Sequence, residues 1–262
     1  MVAQTYEVET ADERTVKYCL YGAEDGAPVV AHHGTPGSRW ERPDVVAAIE
    51  DSGLRVLLFG RPGYGSTRKL GRAVVEVAAD VAALADAQGW DRFAVTGFSG
   101  GGPHAFATAA LLPDRVVRCS TVSGIAPPGT AAFESLDWAA DARRGETFLR
   151  DQLGRSGQDI MRELSSGSDA GRVERMRASC IEGLDGWIDD YLALSKPWGF
   201  DPRDVQAPVD VWFGSEDDNS TPAHAEWLLA TLPSATAREY VGGHDPDDAV
   251  QRLIFGALRG FK

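Results

Sequence analysis

Short apolar runs that alternate with helix-like stretches constrain the fold of this chain more than any other feature. Each run has the length of a strand buried on both faces. Parallel strands need crossover connections, which are usually helices. The alternation therefore predicts the α/β class, with a mostly parallel central sheet flanked by helices. The runs are 28–32 (PVVAH), 54–59 (LRVLLF), 93–97 (FAVTG), 116–122 (VVRCSTV), 209–213 (VDVWF) and 237–241 (AREYV).

Further strand-like and helix-like stretches complete the expected framework. Residues 6–10 and 15–21 show strand alternation and are expected to form an antiparallel pair near the N-terminus. A helix is expected to begin between Ser38 and Pro43, because Ser38 has an acid three residues on, the spacing of a capping box. A second helix is predicted over 74–88, where valine and leucine recur at helical intervals.

The stretch from 126 to 203 breaks this alternation. No strand-like run occurs in it, and polar, helix-prone sequence takes over. A connection of this length without secondary structure is uncommon in a compact domain, so we expect helices. The chain is therefore predicted to consist of an α/β core, residues 1–125 and 204–262, with a helical cap (a lid) inserted at 126–203.

The charge balance and the cysteines narrow the class of protein. The 262 residues include 26 basic and 39 acidic side chains, a formal net charge of −13. This charge repels phosphate backbones and anionic lipids, so neither nucleic acid nor a membrane is an expected partner. No run approaches the roughly 18 apolar residues of a membrane span. Three separated cysteines, Cys19, Cys119 and Cys180, predict reduced thiols and a cytoplasmic location. The sequence leaves open whether the chain forms a homo-oligomer.

The segment Gly97-Phe98-Ser99-Gly100-Gly101 has a GxSxG pattern between a strand and a helix. The pattern alone is weak evidence, because a glycine-rich turn without chemistry would look the same. In a nucleophile turn, however, the glycines are needed, since side chains beside Ser99 would collide with the neighbouring backbone. The N-terminus of the following helix would then favour an anion near the serine. Ser99 is therefore the candidate nucleophile.

A base and an acid are expected on loops at the carboxyl ends of strands. Of the five histidines, His244 follows the last predicted strand and precedes 245–248 (DPDD), a strong helix start. Loops at this edge of an α/β sheet bind ligands, so His244 is the favoured base. The acid that orients it is expected in the loop after 209–213, where residues 216–218 are all acidic.

The loop 33–37 (HGTPG) follows the first buried strand. An acyl-transfer site needs N–H donors aimed at the developing oxyanion. The expected donors of this oxyanion hole are the N–H groups of Gly100, next to the nucleophile, and of Thr35. Two adjacent histidines, His32 and His33, would suit a metal, but no third ligand has suitable spacing. No metal and no other cofactor is therefore expected.

Five motifs follow one another along the chain. They are 32–39 (HHGTPGSR), 60–67 (GRPGYGST), 96–105 (TGFSGGGPHA), 214–222 (GSEDDNSTP) and 242–244 (GGH). Together they resemble the α/β-hydrolase superfamily over nearly the full length of the chain. The resemblance implies the α/β-hydrolase fold and, from the G-x-x-D offset of the acid loop, a triad of Ser99, Asp217 and His244. One departure is Gly60, where the family usually has Asp before Arg-Pro-Gly.

Within the superfamily, the sequence is similar to esterases, proline-iminopeptidase-like enzymes and cofactor-free haloperoxidases. A serine in the turn, in place of aspartate, argues against epoxide hydrolases and haloalkane dehalogenases. The resemblance implies a carboxylesterase-like serine hydrolase that cleaves an ester-like acyl bond of a small, largely apolar molecule through an acyl-enzyme. The alternatives are an amidase or aminopeptidase, a C–C bond hydrolase, and a non-catalytic receptor for a small ligand.

The substrate pocket is expected to lie beside the nucleophile and under the cap. Aromatic and imidazole side chains would form its walls. In the aminopeptidase alternative, acidic side chains of the cap would bind a substrate amine. The expected pocket residues are His33, Phe98, Trp138, Trp187, Tyr191 and Trp198, and the cap acids are Glu134, Asp137 and Glu146.

Overall fold

The computed structural model describes residues 3–154 and 177–259. Eight strands are found there: β1 (Thr5–Glu9), β2 (Thr15–Gly22), β3 (Ala27–His32), β4 (Leu54–Phe59), β5 (Phe93–Phe98), β6 (Val116–Val122), β7 (Val209–Gly214) and β8 (Ala235–Tyr240). They form one sheet in the order β1-β2-β4-β3-β5-β6-β7-β8. β2 pairs antiparallel with β1 and β4, and the remaining neighbours are parallel. The predicted α/β class and mostly parallel sheet are confirmed.

Helices cover both faces of the sheet. They include α1 (Pro43–Ser52), α2 (Val77–Ala87), α3 (Gly102–Leu111), α4 (Ala131–Glu134), α5 (Ala139–Ala142), α6 (Asp185–Leu194), α7 (Pro222–Thr231) and α8 (Asp248–Ala257). α1 and α8 pack on one face with Val56 and Leu58 of β4. α2, α3 and α7 pack on the other face with Leu57 and Phe59. The alternating side chains of buried β4 therefore contribute to both cores.

One strand boundary and two details of helix starts differ from the sequence expectation. α1 begins at Pro43, within the expected range, but without the expected capping box, because the Ser38 hydroxyl hydrogen-bonds to the backbone of Trp40 instead. The helix predicted over 74–88 begins as a 3-10 turn before α2. β8 ends at Tyr240, where its pairing with β7 ends, and Val241 beyond it is 85% exposed.

The segment between β6 and β7 holds helices and turns, with no strand among its described residues. α4, α5, helical residues at 146–154 and 177–180, and α6 lie there. Residues 155–176 of the expected cap fall outside the described residues. The division into a core of 1–125 and 204–262 and a cap of 126–203 stays a prediction.

Two of the three cysteines lie inside the molecule. Cys19 and Cys119 are buried and Cys180 is partly exposed, each as a free thiol. Burial raises the pKa of all three thiols, which makes them poor nucleophiles at neutral pH. In the described part of the chain, no helix has both the length and the apolar content of a membrane span.

Candidate active site

Ser99 lies on a strained turn between β5 and α3. Its φ of 51° is in the left-handed region, which is unfavourable for a residue with a side chain. A 3-10 turn over Ser99–Gly101 leads directly into α3. A Cβ atom at Gly97 would lie 2.3 Å from the carbonyl oxygen of Gly101, so the turn closes only with glycine there. The turn has the features that the sequence predicts for a nucleophile turn.

The structure distinguishes Asp217 from its two acidic neighbours. Asp217 is buried, whereas Glu216 and Asp218 are exposed. Its Oδ2 lies 2.9 Å from Nδ1 of His244. Its Oδ1 accepts backbone N–H bonds from Asn219 and Ser220, both at 2.9 Å. The carboxylate is therefore held in the orientation that a histidine-orienting acid requires.

The acid and histidine loops lie against each other at the carboxyl ends of β7 and β8. The N–H of Glu216 donates to the carbonyl of Gly242 at 2.9 Å. A Cβ atom at Gly214 would be 2.4 Å from the carbonyl oxygens of Gly242 and Gly243. Behind the histidine, the Ser123 hydroxyl donates to the carbonyl of His244 at 2.8 Å. These contacts fix the distance between the two loops.

Ser99 and His244 line one cavity of about 560 Å³. Because Nδ1 of His244 is bonded to Asp217, its Nε2 is the nitrogen available for proton transfer. The ring packs 5.1 Å from that of Phe98, centroid to centroid. In the described part of the chain, no hydrogen bond joins Nε2 of His244 to the Ser99 hydroxyl. Such contacts often shorten only when substrate binds.

The two expected oxyanion donors are neighbours. A Cβ atom at Gly100 would lie 2.5 Å from Oγ1 of Thr35, so the nucleophile turn and the 33–37 loop are in direct contact. Thr35 lines the cavity with Ser99. Gly100 is buried at the start of the helix that follows the nucleophile. The structure therefore brings together Ser99, Thr35 and Gly100 as the sequence predicts.

An ionic cluster beside this loop was not predicted from the sequence. The side chains of Arg61 and Asp190 are fully buried and lie 2.5 Å apart, and Arg72 also bonds to Asp190. Burial opposes ionisation of Asp190, but Arg61 and Arg72 outweigh it and hold its pKa well below the usual value. Arg61 belongs to the 60–67 motif, whereas no local pattern marks Asp190, which lies more than a hundred residues away.

Four histidines are interior groups. Burial lowers the pKa of His32 and His33 well below the usual value, with Arg61 adding to the effect, and it lowers that of His104 to about 3. His224 accepts the N–H of Ala126 through Nδ1. Within 3–154 and 177–259, no three His, Cys, Asp or Glu side chains form a potential metal site.

His33 and Phe98 line the cavity, but the expected aromatic walls from the cap do not. Trp138 stacks on Tyr191 at 4.2 Å between centroids, and Trp187 packs edge-on to Tyr191. Trp198 stacks on Phe200 in the main core. These rings bury their faces against one another, and none of the expected cap aromatics reaches the cavity of Ser99.

The cavity walls come instead largely from the side of the sheet that α1 and α8 cover. Aliphatic and aromatic side chains of this part of the wall suit an apolar ligand, whereas charged side chains, among them Glu41, Arg42, Asp218 and Asp245, also border the cavity. Of the cap acids, Glu134 pairs with Arg143 at 2.8 Å, and Glu146 pairs with Arg68 and Arg150 at 3.0 Å. Neither carboxylate lines this cavity. Apolar side chains that do line it include Trp40, Val45, Ile49, Leu58, Ile254 and Phe255.

Comparison with known proteins identifies the family. The family model for the alpha/beta hydrolase fold matches residues 27–246, a range that includes Ser99, Asp217 and His244. The chain belongs to the alpha/beta hydrolase fold family. A non-heme chloroperoxidase of Streptomyces lividans in this comparison is 35% identical over 259 residues, covering 90% of this chain and 91% of the relative.

Other relatives in the family carry different names. Epoxide hydrolase B of Mycobacterium tuberculosis is 32% identical over 109 residues, 40% of this chain and 30% of that protein. A solved structure of an esterase from Thermogutta terrifontis superposes with a TM-score of 0.75 at 23% identity, covering 98% of this chain and 97% of the other. The fold is therefore shared among proteins named for different reactions.

Proposed function

We propose that the protein is a serine hydrolase that cleaves an ester-like acyl bond of a small, largely apolar molecule. The observation that carries the proposal is the 2.9 Å contact between His244 and the buried carboxylate of Asp217, in a cavity that Ser99 also lines. Serine is a weak nucleophile unless a base removes its proton, and the base needs an orienting group. The arrangement supplies candidates for all three roles.

In the proposed reaction, the Ser99 oxygen attacks the substrate carbonyl while Nε2 of His244 takes the hydroxyl proton. Asp217 holds the imidazole by Nδ1 and stabilises its protonated form. The N–H groups of Thr35 and Gly100 bind the negative oxygen of the tetrahedral intermediate. His244 then protonates the departing alcohol. A water molecule, activated by the same histidine, releases the acid and restores Ser99.

The apolar part of the cavity wall and the ion pairs of two cap acids support an ester substrate. The apolar side chains of α1 and α8 offer a site for an aliphatic or aromatic arm. In the aminopeptidase alternative, Glu134, Asp137 and Glu146 would bind the amine. The carboxylates of Glu134 and Glu146 are engaged by arginines, and none of the three residues lines the cavity of Ser99. We therefore place the amidase, aminopeptidase and C–C hydrolase alternatives second, and a non-catalytic receptor after them.

A second candidate activity is acyl transfer to hydrogen peroxide, which the 35% identical non-heme chloroperoxidase favours. Hydrogen peroxide would replace water in attacking the acyl-enzyme, giving a peracid and free Ser99. Peroxide added to the ester assay should then produce a peracid that oxidises iodide. Oxidation that persists in Ser99→Ala would exclude this route.

The proposed function is tested by steady-state hydrolysis of two substrate sets. One set contains p-nitrophenyl esters of two to eight acyl carbons, and the other contains aminoacyl p-nitroanilides. We expect turnover of the esters, little turnover of the anilides, and loss of nearly all activity in Ser99→Ala. Preferential anilide turnover would favour the aminopeptidase alternative. Full ester activity in Ser99→Ala would refute the proposal.

A further inference from the structure

The buried cluster of Arg61, Asp190 and Arg72 lies directly behind the proposed oxyanion loop. Ionic groups without solvent are costly to bury unless each has close partners. The Asp190 carboxylate accepts hydrogen bonds from Nε and Nη2 of Arg61, the latter at 2.5 Å, and a further hydrogen bond from Arg72. It also accepts the Tyr64 hydroxyl at 3.1 Å. Both oxygens of the Asp190 carboxylate are therefore bonded to arginine, whereas Nε of Arg72 is buried without a hydrogen-bond partner among the described residues.

Arg61 holds the backbone of the oxyanion loop through two carbonyl groups. Its Nη1 donates to the carbonyl of His33 at 2.6 Å, and its Nη2 donates to that of Gly34 at 2.9 Å. His33 Nδ1 also donates to the Gly34 carbonyl at 2.7 Å, while its Nε2 accepts the N–H of Arg61. One guanidinium thereby fixes two consecutive peptide groups.

The anchored Gly34 carbonyl sets the direction of the proposed oxyanion donor. In a trans peptide group, the C=O of one residue and the N–H of the next point in opposite directions. The Gly34–Thr35 bond is trans, so the N–H of Thr35 points away from Arg61. Rotation of this peptide would break the bonds from both Arg61 and His33.

Asp190 acts on this loop in two ways. It orients the guanidinium that holds the carbonyls, and it accepts the Thr35 hydroxyl at 2.8 Å. The Thr35 side chain is thereby held by Asp190, leaving the backbone N–H as the donor that the residue offers to an oxyanion. The carboxylate contacts both the anchor and the donor residue.

The backbone at Gly60, where the sequence departs from the family motif, lies too close to its neighbours to carry a side chain. The family usually has Asp before Arg-Pro-Gly, but a Cβ atom at Gly60 would lie 2.3 Å from the carbonyl oxygen of Tyr64. The backbone therefore leaves no room for an acid at this point. The partner of Arg61 comes instead from α6, within the predicted cap.

We propose that Asp190 is a positioning residue that fixes the direction of the Thr35 N–H through Arg61 and the Thr35 hydroxyl. The inference rests on the proposed function, because it concerns the oxyanion site of that reaction. The inference extends the proposed function, because it assigns a residue of the predicted cap a part in stabilising the transition state. Asp190 acts through Arg61 and Thr35 and does not contact the reacting atoms.

The test compares Asp190→Asn with Asp189→Asn on the adjacent position of α6. Asp189 is also a buried carboxylate bound to an arginine, Arg68 at 2.7 Å, but no contact joins it to the 33–37 loop. We expect Asp190→Asn to lower kcat about 10- to 100-fold, part of the loss known for removal of an oxyanion donor. KM should change less than about threefold. Asp189→Asn should retain wild-type kcat.

A second variant shows whether a fall in kcat comes from misfolding. Asp190→Asn leaves two buried guanidiniums without their counter-charge. Asp190→Asn combined with Arg72→Met removes one positive and one negative charge, so the net charge of the cluster is kept. The double variant should fold, as measured by circular dichroism, and should show the same fall in kcat. A double variant that folds with wild-type kcat would overturn the proposal.

Inhibitor binding separates positioning from a general structural role. A trifluoromethyl ketone forms a tetrahedral adduct with a serine oxygen, whereas the matching secondary alcohol forms no oxyanion. We expect Asp190→Asn to weaken the ketone about as much as it lowers kcat/KM, with alcohol binding unchanged. Equal weakening of both ligands would overturn the positioning role. Absence of ester turnover in the wild type would instead overturn the proposed function itself.

Discussion

At the scale of single residues, burial distinguishes one carboxylate in the acid loop from its neighbours. Asp217 is 3% exposed and bonded to His244, whereas Glu216 and Asp218 face solvent. The residues of this loop alone leave the choice among the three acids open, because all occupy a plausible turn. The family motif selects Asp217, and the structure supplies the physical reason, which is the pair of backbone N–H bonds to its Oδ1.

This difference predicts a sharp contrast between neighbouring substitutions. Asp217→Asn should lower kcat by about 10³- to 10⁴-fold, because an amide cannot hold the imidazole in the required tautomer. Glu216→Gln is the matched control and should retain kcat within about twofold. Esterase kinetics on a p-nitrophenyl ester measure both. Comparable losses in the two variants would contradict the assignment of the acid.

Functional roles that depend on contacts between distant residues could not be predicted from the sequence. Ser99 and His244 stand in local patterns of glycine, strand and helix start, so the sequence marks both as candidates. Asp190 has no such pattern, because its partner Arg61 lies 129 positions away. The cap aromatics Trp138 and Tyr191 were expected in the pocket, but an apolar helix face looks the same in sequence whether it meets substrate or another ring.

At the scale of secondary structure, the turn from β5 to α3 depends on close backbone approach. A Cβ atom at Gly97 would collide with a carbonyl of the same turn. The central strands were predictable because each is a short run rich in apolar residues, and the crossovers between them set their direction. The edge strand β8 was displaced in the prediction, since its exposed residues follow backbone pairing with β7 rather than hydrophobicity.

The turn yields a prediction about stability. Gly97→Ala should lower the free energy of unfolding by about 1–3 kcal/mol, because the added methyl group meets backbone that cannot move aside. Gly256→Ala, in α8 with open space around its Cα, should raise it by about 0.5–1 kcal/mol. Urea unfolding compares the two. A neutral Gly97→Ala would contradict the close approach.

At the scale of the whole molecule, the cavity lies on the side of the sheet that α1 and α8 cover. Val45 of α1 lines the cavity and its neighbour Val46 does not. Val45→Phe should lower kcat/KM for an octanoate ester relative to an acetate ester about tenfold, the effect of roughly two unburied methylene groups. Val46→Phe should leave this ratio unchanged. The same change in both variants would mean that the acyl chain binds elsewhere.

The interior histidines predict the pH dependence of stability. Burial lowers the pKa of His104 to about 3 and that of His224 to about 4, whereas an unfolded histidine titrates near pH 6.5. Below that pH the unfolded chain binds more protons, so the free energy of unfolding falls as pH decreases. His104 alone should account for about 2 kcal/mol between pH 7 and pH 5.

Urea unfolding of wild type and His104→Asn at the two pH values measures this contribution. Asparagine retains a donor for the Gly100 carbonyl but does not titrate. The loss of stability between pH 7 and pH 5 should be about 2 kcal/mol smaller in the variant. An identical loss would show that His104 is not kept neutral by burial.

The overall architecture was predictable because strand runs, crossovers and the five motifs all indicated the same fold. A fluorophosphonate probe followed by peptide mass mapping tests directly whether Ser99 is a nucleophile activated by His244. We expect one adduct on the peptide that contains Ser99, slow labelling in His244→Ala, and none in Ser99→Ala. Absence of the adduct in folded wild-type protein, or an adduct on another residue, would contradict this role of Ser99.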